Sequence, residues 1–144
     1  MEKLVIRKLK KEDAPEIARI NSVITKSPPK DEFRRTIKEL AQSPGNVSYV
    51  AEHNGKVVGY MISYLLFGGF GIGKSAWIAT LGVEPKFMGQ GIGKALAKKI
   101  FDFHSKKGIK SFYTSVRWDS TDLLSFFKTL GFDRSNFINL KKEM

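Results

Sequence analysis

The sequence predicts an α/β (α+β) fold of one domain, residues 1–144, with a mixed β-sheet flanked by about four helices. Three patterns carry that prediction. Runs rich in Val, Ile and Tyr flank Asn54-Gly55, the dipeptide of a tight β-hairpin. Apolar residues recur at spacings of three and four in Ile17, Ile20 and Ile24, and again in Ile92, Ala95, Leu96, Ile100 and Phe103, which is the stripe of an amphipathic helix. A strand, a helix and a second strand then succeed one another between Trp77 and Val116, an order that calls for a crossover connection.

Val5 to Leu9 has the β-branched start of a strand, and Asp13-Ala14-Pro15-Glu16 supplies an N-cap, an early proline and a glutamate three residues on. The helix that begins there ends before Ser27-Pro28-Pro29. Phe33, Ile37 and Leu40 mark a second helix, stopped by Ser43-Pro44-Gly45. Val47–Glu52 and Lys56–Phe67 read as an antiparallel pair, and Trp77–Val83 as a third strand stopped by Pro85. The Ile92–Phe103 helix ends in the cationic turn Lys106-Lys107-Gly108. Ser111–Val116 is a strand. Leu123, Phe126, Phe127 and Leu130 form the apolar face of a last helix, capped by Asp119 or Ser120 and closed by Gly131. A short strand or pair of strands over Phe132–Leu140 is expected to end the chain.

Composition removes several function classes. With 42% hydrophobic and 12% aromatic residues the chain has the apolar material that disordered segments lack. It has no cysteine, which excludes disulfides, thiolate nucleophiles and Cys-ligated metals, and its two histidines leave little for zinc, so no metal is expected. His53 and His104 both read as surface residues. The charged N-terminus does not resemble a secretory leader, and the longest apolar run, Tyr60–Phe67, falls far short of the roughly 20 residues of a membrane span. The expected setting is cytoplasmic, without a membrane partner.

The net charge is +11, with +4 carried by residues 1–72 and +7 by the rest. Between residues 86 and 110, Lys86, Lys94, Lys98, Lys99, Lys106, Lys107 and Lys110 face only Asp102. Such a field attracts phosphates, whether of a cofactor or of nucleic acid.

Two glycine-rich segments compete for the phosphate. Gly68-Gly69-Phe70-Gly71-Ile72-Gly73-Lys74-Ser75 matches the G-x-x-x-x-G-K-[ST] pattern of a nucleotide-binding P-loop in every position. That motif works only where a helix begins at the Lys-Ser pair, and Ser75–Val83 reads as a strand, so the expectation is a glycine-rich loop between two strands. Gly89-Gln90-Gly91-Ile92-Gly93-Lys94 lacks the formal match but stands between a strand and a helix, where backbone amides can converge on an anion at a helix N-terminus. Lys stands where a third dinucleotide-binding glycine belongs, so a dinucleotide fold is not indicated.

The run Val83-Glu84-Pro85-Lys86-Phe87-Met88-Gly89-Gln90-Gly91-Ile92-Gly93-Lys94-Ala95-Leu96 resembles the acetyl-CoA loop of the GNAT N-acetyltransferase superfamily, and Gly131-Phe132 resembles that family's C-terminal signature. The order of elements fits along essentially the whole chain. The resemblance implies a splayed sheet, with the strand ending at Val83 parting from the Ser111–Val116 strand. It implies acetyl-CoA as cosubstrate, with pantetheine on the main chain of Leu81, Gly82 and Val83 and pyrophosphate on the amides of Met88, Gly89, Gln90, Gly91, Ile92, Gly93 and Lys94. Three positions depart from the family pattern: Met88 stands where Gln or Arg is usual, Ser120 where Asn often stands, and Phe127 where a Tyr general acid is frequent. Ser120 and Phe127 stay in the expected cofactor-binding set. At the family's usual base positions stand Trp77 and Ser115.

For proton transfer this leaves Tyr113 as a replacement acid, on the same strand face as Ser115, and Glu84 as a base acting through water. The implied reaction is direct attack of a primary amine on the thioester in a ternary complex. Juxtaposition supplies about 7–11 kcal/mol, whereas an acid or base adds roughly 3–5 kcal/mol, so loss of the tyrosine slows such an enzyme without abolishing it. A protein α-amine, with pKa about 7.7–8.0, is an easier acceptor than lysine at about 10.4 when no strong base is present. The expected partner is therefore an amine-bearing molecule, a protein N-terminus, a lysine or a small molecule; the resemblance also leaves room for a homodimer. A catalytically weak acyl-CoA-binding or nucleic-acid-associated module, and a P-loop nucleotide binder using Gly68–Ser75, are the competing readings.

Overall fold

The computed structural model describes residues 3–68, 71 and 73–144. Two compact units make it up, Met1–Tyr113 and Thr114–Met144. The first holds β1 (Leu4–Lys8), a 3-10 turn (Lys11–Asp13), α1 (Ala14–Thr25), α2 (Asp31–Gln42), β2 (Asn46–His53), β3 (Lys56–Gly68), β4 (Gly73–Val83) and α3 (Ile92–Lys106), and β5 (Phe112–Thr114) starts at its end. The strands line up in chain order, β1 to β5, and the first three pairings are antiparallel. The helical crossover through α3 returns the chain so that β5 runs parallel to β4.

The hairpin forms where Asn54-Gly55 predicts it: Asn54 at φ +52° and Gly55 at φ +84° give the two left-handed residues of a type I′ turn. The faces of the sheet are set by alternation. Ile62 belongs to a core with Ile17, Ile20, Ile37, Val50 and Tyr60 under α1 and α2. Its neighbour Ser63 points to the other face and meets His104 of α3. Ile92, Leu96, Ala97 and Ile100 of α3 are buried on that second face.

Asp13 does not cap α1 through its side chain. Its carboxylate takes both terminal nitrogens of Arg7 (2.8 and 2.9 Å) and the Lys10 amide (2.8 Å), while Arg7 Nε donates to Glu52 (2.6 Å). These bonds tie the start of α1 to β1 and β2, and the two carboxylates hold the Arg7 pKa above its ordinary value.

His104 corrects the surface reading. It is wholly buried because it lies four residues beyond Ile100 on the inward stripe of α3, while Phe103, assigned to that stripe from sequence, is half-buried beside it. Its Nε2 pairs with Ser63 Oγ at 3.2 Å, and burial lowers its pKa.

The second unit contains α4 (Thr121–Thr129), whose Phe127 is buried against Phe126 and Phe132, with ring centroids 5.3 and 5.1 Å away. Residues 132–140 form no strand, contrary to expectation. Local bonds take over the backbone there: Asp133 accepts from the Arg134 amide (2.8 Å) and Ser135 Oγ from the Phe137 amide (3.1 Å), contacts that compete with a ladder.

Candidate active site

β4 ends in a region built for close approach. A Cβ on Gly82 would lie 2.8 Å from the Tyr60 ring and hydroxyl and 2.9 Å from Ile24, so only glycine lets α1 and β3 close on this strand. The Tyr60 hydroxyl is bonded by Asn21 (3.4 Å) and Thr80, and burial pushes its pKa up, so it stays neutral. Three residues earlier the strand is irregular: Thr80 faces Ile62 and Ile78 faces Ser63, which leaves Ala79 as an unopposed bulge. Nothing in the sequence marks that bulge, because no glycine or proline stands there.

Past Val83 the chain turns sharply into α3. The Glu84 amide bonds Val58 O (2.8 Å), and Phe87 and Met88 amides bond back to Glu84 O (2.8 Å) and Pro85 O (3.2 Å) in a single 3-10 turn. Gly89 and Gly91 then take φ of +81° and +83°, which L side chains rarely adopt, and a Cβ on either would meet nothing within 4 Å. Their glycine requirement is conformational, and the space beside the backbone is open.

Gly91 is the N-cap of α3. No side chain caps this helix and no acid stands in its first turn, so its N-terminal amides and dipole are available to an anion. Below, Ile92 is 3% exposed, and a Cβ on Gly59 would lie 3.1 Å from its Cγ2, so the missing side chain of Gly59 seats the helix directly on β3. Met88 is exposed, as are Gly89, Gln90 and Lys94. The loop and helix turn thus form a cradle of the kind a phosphate group needs, with room against the main chain.

Glu84 and Tyr113 are not brought together. Glu84 stands at the root of the loop, where its carboxylate receives two terminal nitrogens of Arg19 (3.3 and 3.4 Å) while Arg19 also holds Glu16 (3.0 Å). Both carboxylates raise the Arg19 pKa. Tyr113 is stacked on Trp77, centroids 4.9 Å apart at 19°, seven residues up β4 from Glu84, or roughly 20 Å at a strand's rise per residue. Arg19 has no long-range signal in the sequence because its link to Glu84 spans 65 residues; only its local pairing with Glu16 is legible there.

In the second unit, Ser120 is the N-cap of α4 without a side-chain cap bond, and Asp119, the other cap expected from sequence, is engaged by Arg117. Phe127 is buried among phenylalanines and offers no polar atom. The competing P-loop reading fails on the described residues: Gly73, Lys74 and Ser75 lie in β4, paired with Gly68, Phe67 and Leu66, and no helix begins there. Its Gly69, Phe70 and Ile72 lie outside the described residues.

Residues 14–132 match the Acetyltransferase (GNAT) family. The chain belongs to that family. It is 33% identical over 101 residues to the N-alpha-acetyltransferase RimI of Mycobacterium tuberculosis, covering 67% of this chain and 58% of that protein. It is 23% identical over 100 residues to the [ribosomal protein bS18]-alanine N-acetyltransferase of Escherichia coli, covering 68% of this chain and 64% of that one. The chain thus spans about three fifths of the length of these relatives. An aminoglycoside N-acetyltransferase, AAC(6')-Iy, solved in complex with CoA, superposes with a TM-score of 0.86 over 99% of this chain and 96% of that one, at 16% identity, a likeness of fold. The GNAT fold expected from the sequence is therefore the fold observed.

Proposed function

We propose that this GNAT protein transfers an acetyl group from acetyl-CoA to a primary amine, a protein α-amine or the amine of a small molecule, by direct attack in a ternary complex. The observation that carries the reading is the uncapped N-terminus of α3, reached through two left-handed glycines with open space beside them. CoA-bound and amine-acetylating relatives support it.

When bound, acetyl-CoA supplies a thioester whose carbonyl an amine can attack. In our reading the amides from Met88 to Lys94 hold the pyrophosphate, with the helix dipole and Lys94 adding favourable charge. The main chain of Leu81, Gly82 and Val83 orients the pantetheine arm. Tyr113 is the proposed proton donor to the departing sulfur. The ion pair with Arg19 favours an anchoring role for Glu84, holding the root of the loop, over the proton relay expected from sequence. With no strong base in this arrangement, an α-amine, part neutral at pH 7, suits the site better than a lysine.

We place the reaction in the cytoplasm, which fits a cysteine-free chain; no helix among the described residues is long and apolar enough to cross a membrane. Titration calorimetry with acetyl-CoA and ATP, followed by thiol release with an amine panel, tests the reading. The expected result is acetyl-CoA binding and amine-dependent thiol release; binding of ATP without acetyl-CoA would overturn it.

A further inference from the structure

Trp77 takes no part in the cofactor cradle, yet its indole is held by a hydrogen bond and a ring stack. Its indole Nε1 donates to Ser75 Oγ (3.0 Å), whose hydroxyl donates onward to Leu66 O (3.4 Å). One face of the ring lies against Tyr113, and directly across the β3–β4 ladder stands Tyr64. The three rings are half-buried, and Leu66, two residues beyond Tyr64 on the same side of β3, is 39% exposed. The row across the sheet reads Asn46, Tyr64, Trp77, with Tyr113 beside it, and contains no charged residue.

This aromatic group is continuous with the proposed reaction site. Trp77 precedes the bulged Ala79 by two residues, and Thr80 to Val83 come next on the strand that carries the thioester in our reading. An amine approaching the middle of β4 from the Tyr60 face brings its neighbouring substituent against these rings. Fixed aromatic rings offer a large apolar contact that costs little ordering, whereas a polycationic acceptor needs carboxylates that this row lacks and meets a chain of net charge +11.

We infer that Trp77, positioned by Ser75 and Tyr113, is a specificity-determining residue that selects acceptors whose amine sits next to an apolar or aromatic group. Such a group comes either from a peptide with a bulky hydrophobic first residue or from an arylalkyl amine. The inference rests on the acetyl-transfer reading and adds the acceptor class to it.

The test uses the full chain with saturating acetyl-CoA and measures thiol release with Phe-Gly-Gly, Leu-Gly-Gly, Gly-Gly-Gly, phenylethylamine and spermidine. The expected kcat/KM for the apolar acceptors exceeds that for Gly-Gly-Gly and for spermidine by about tenfold or more. Comparing Phe-Gly-Gly with phenylethylamine shows which source the site prefers. In Trp77→Ala the ratio of kcat/KM for the apolar acceptors to that for Gly-Gly-Gly collapses, chiefly through a raised KM for the apolar acceptors; Trp77→Phe restores most of it. An advantage that survives in a folded, acetyl-CoA-binding Trp77→Ala protein, or a preference for spermidine, overturns the inference. A second measurement does not depend on turnover. Trp118→Phe leaves Trp77 as the sole indole, and its fluorescence is expected to respond to phenylethylamine and not to spermidine. That response without thiol release from any amine would sink the transfer reading and keep the binding site; no response would sink the site.

Discussion

The two glycine-rich segments of this protein have similar compositions and different fates. Gly68–Ser75 matches a nucleotide-binding pattern letter by letter, yet the chain continues from it as the paired strand β4, with Lys74 and Ser75 inside the ladder. Gly89–Lys94 matches less formally, yet it opens a 15-residue helix whose first turn is uncapped. Both contain left-handed glycines with open space around them, Gly71 at +81° and Gly91 at +83°. The difference lies in the element each segment leads into. A strand commits its amides to the neighbouring strand, whereas a helix leaves its first amides unbonded and aligns its dipole toward them.

Substituting equivalent glycines puts this contrast at risk. Gly91→Val places a β-branched residue at a left-handed φ on the helix cap; the strain and the displaced amides are expected to weaken acetyl-CoA binding about tenfold or more by calorimetry, with helicity retained in circular dichroism. A smaller effect is expected from Arg19→Ala, which releases Glu84 at the root of the loop. This half-exposed ion pair is worth at most about 1 kcal/mol, so the dissociation constant for acetyl-CoA should rise roughly threefold, with Arg19→Lys recovering part of it. The helix that opens from the productive loop is also anchored by a titratable group. Burial holds the His104 pKa below its ordinary value of about 6.5, so the unfolded chain takes up a proton that the native one refuses. Native stability should be undiminished by this group above that pH and fall as pH drops below it toward the depressed native value. Melting temperatures from pH 8 to 5 should show that fall, and His104→Gln should lose this component. The smallest effect belongs to Gly71→Val. It imposes strain like that in Gly91→Val, yet acetyl-CoA affinity should stay within twofold of the parent; a tenfold loss would erase the distinction between the two loops.

How much is legible in the sequence varies with the range of the interaction. The hairpin at Asn54-Gly55, the stripe of α3 and the glycine cradle depend on neighbours within a few residues, and local pattern reveals them. The pattern of Ser111–Val116 implies a longer strand than the Phe112–Thr114 that forms, and Phe132–Leu140 forms none, because strand pairing depends on a partner far along the chain. Asp13 has the spacing of a side-chain cap and instead binds Arg7; His104, near a helix end, instead fills the core beside Ser63.

The resemblance to the GNAT family, the order of the elements from β1 to α4 and the choice of glycine loop that opens a helix are legible in the sequence alone, the last two because local spacing and backbone preference decide them. Tertiary packing sets the rest: β4 bulges at Ala79, Arg19 grips Glu84, and Trp77 is wedged between Tyr113 and the Tyr64 strand. These features join residues on separate elements, and no local pattern encodes which distant side chain arrives to meet them.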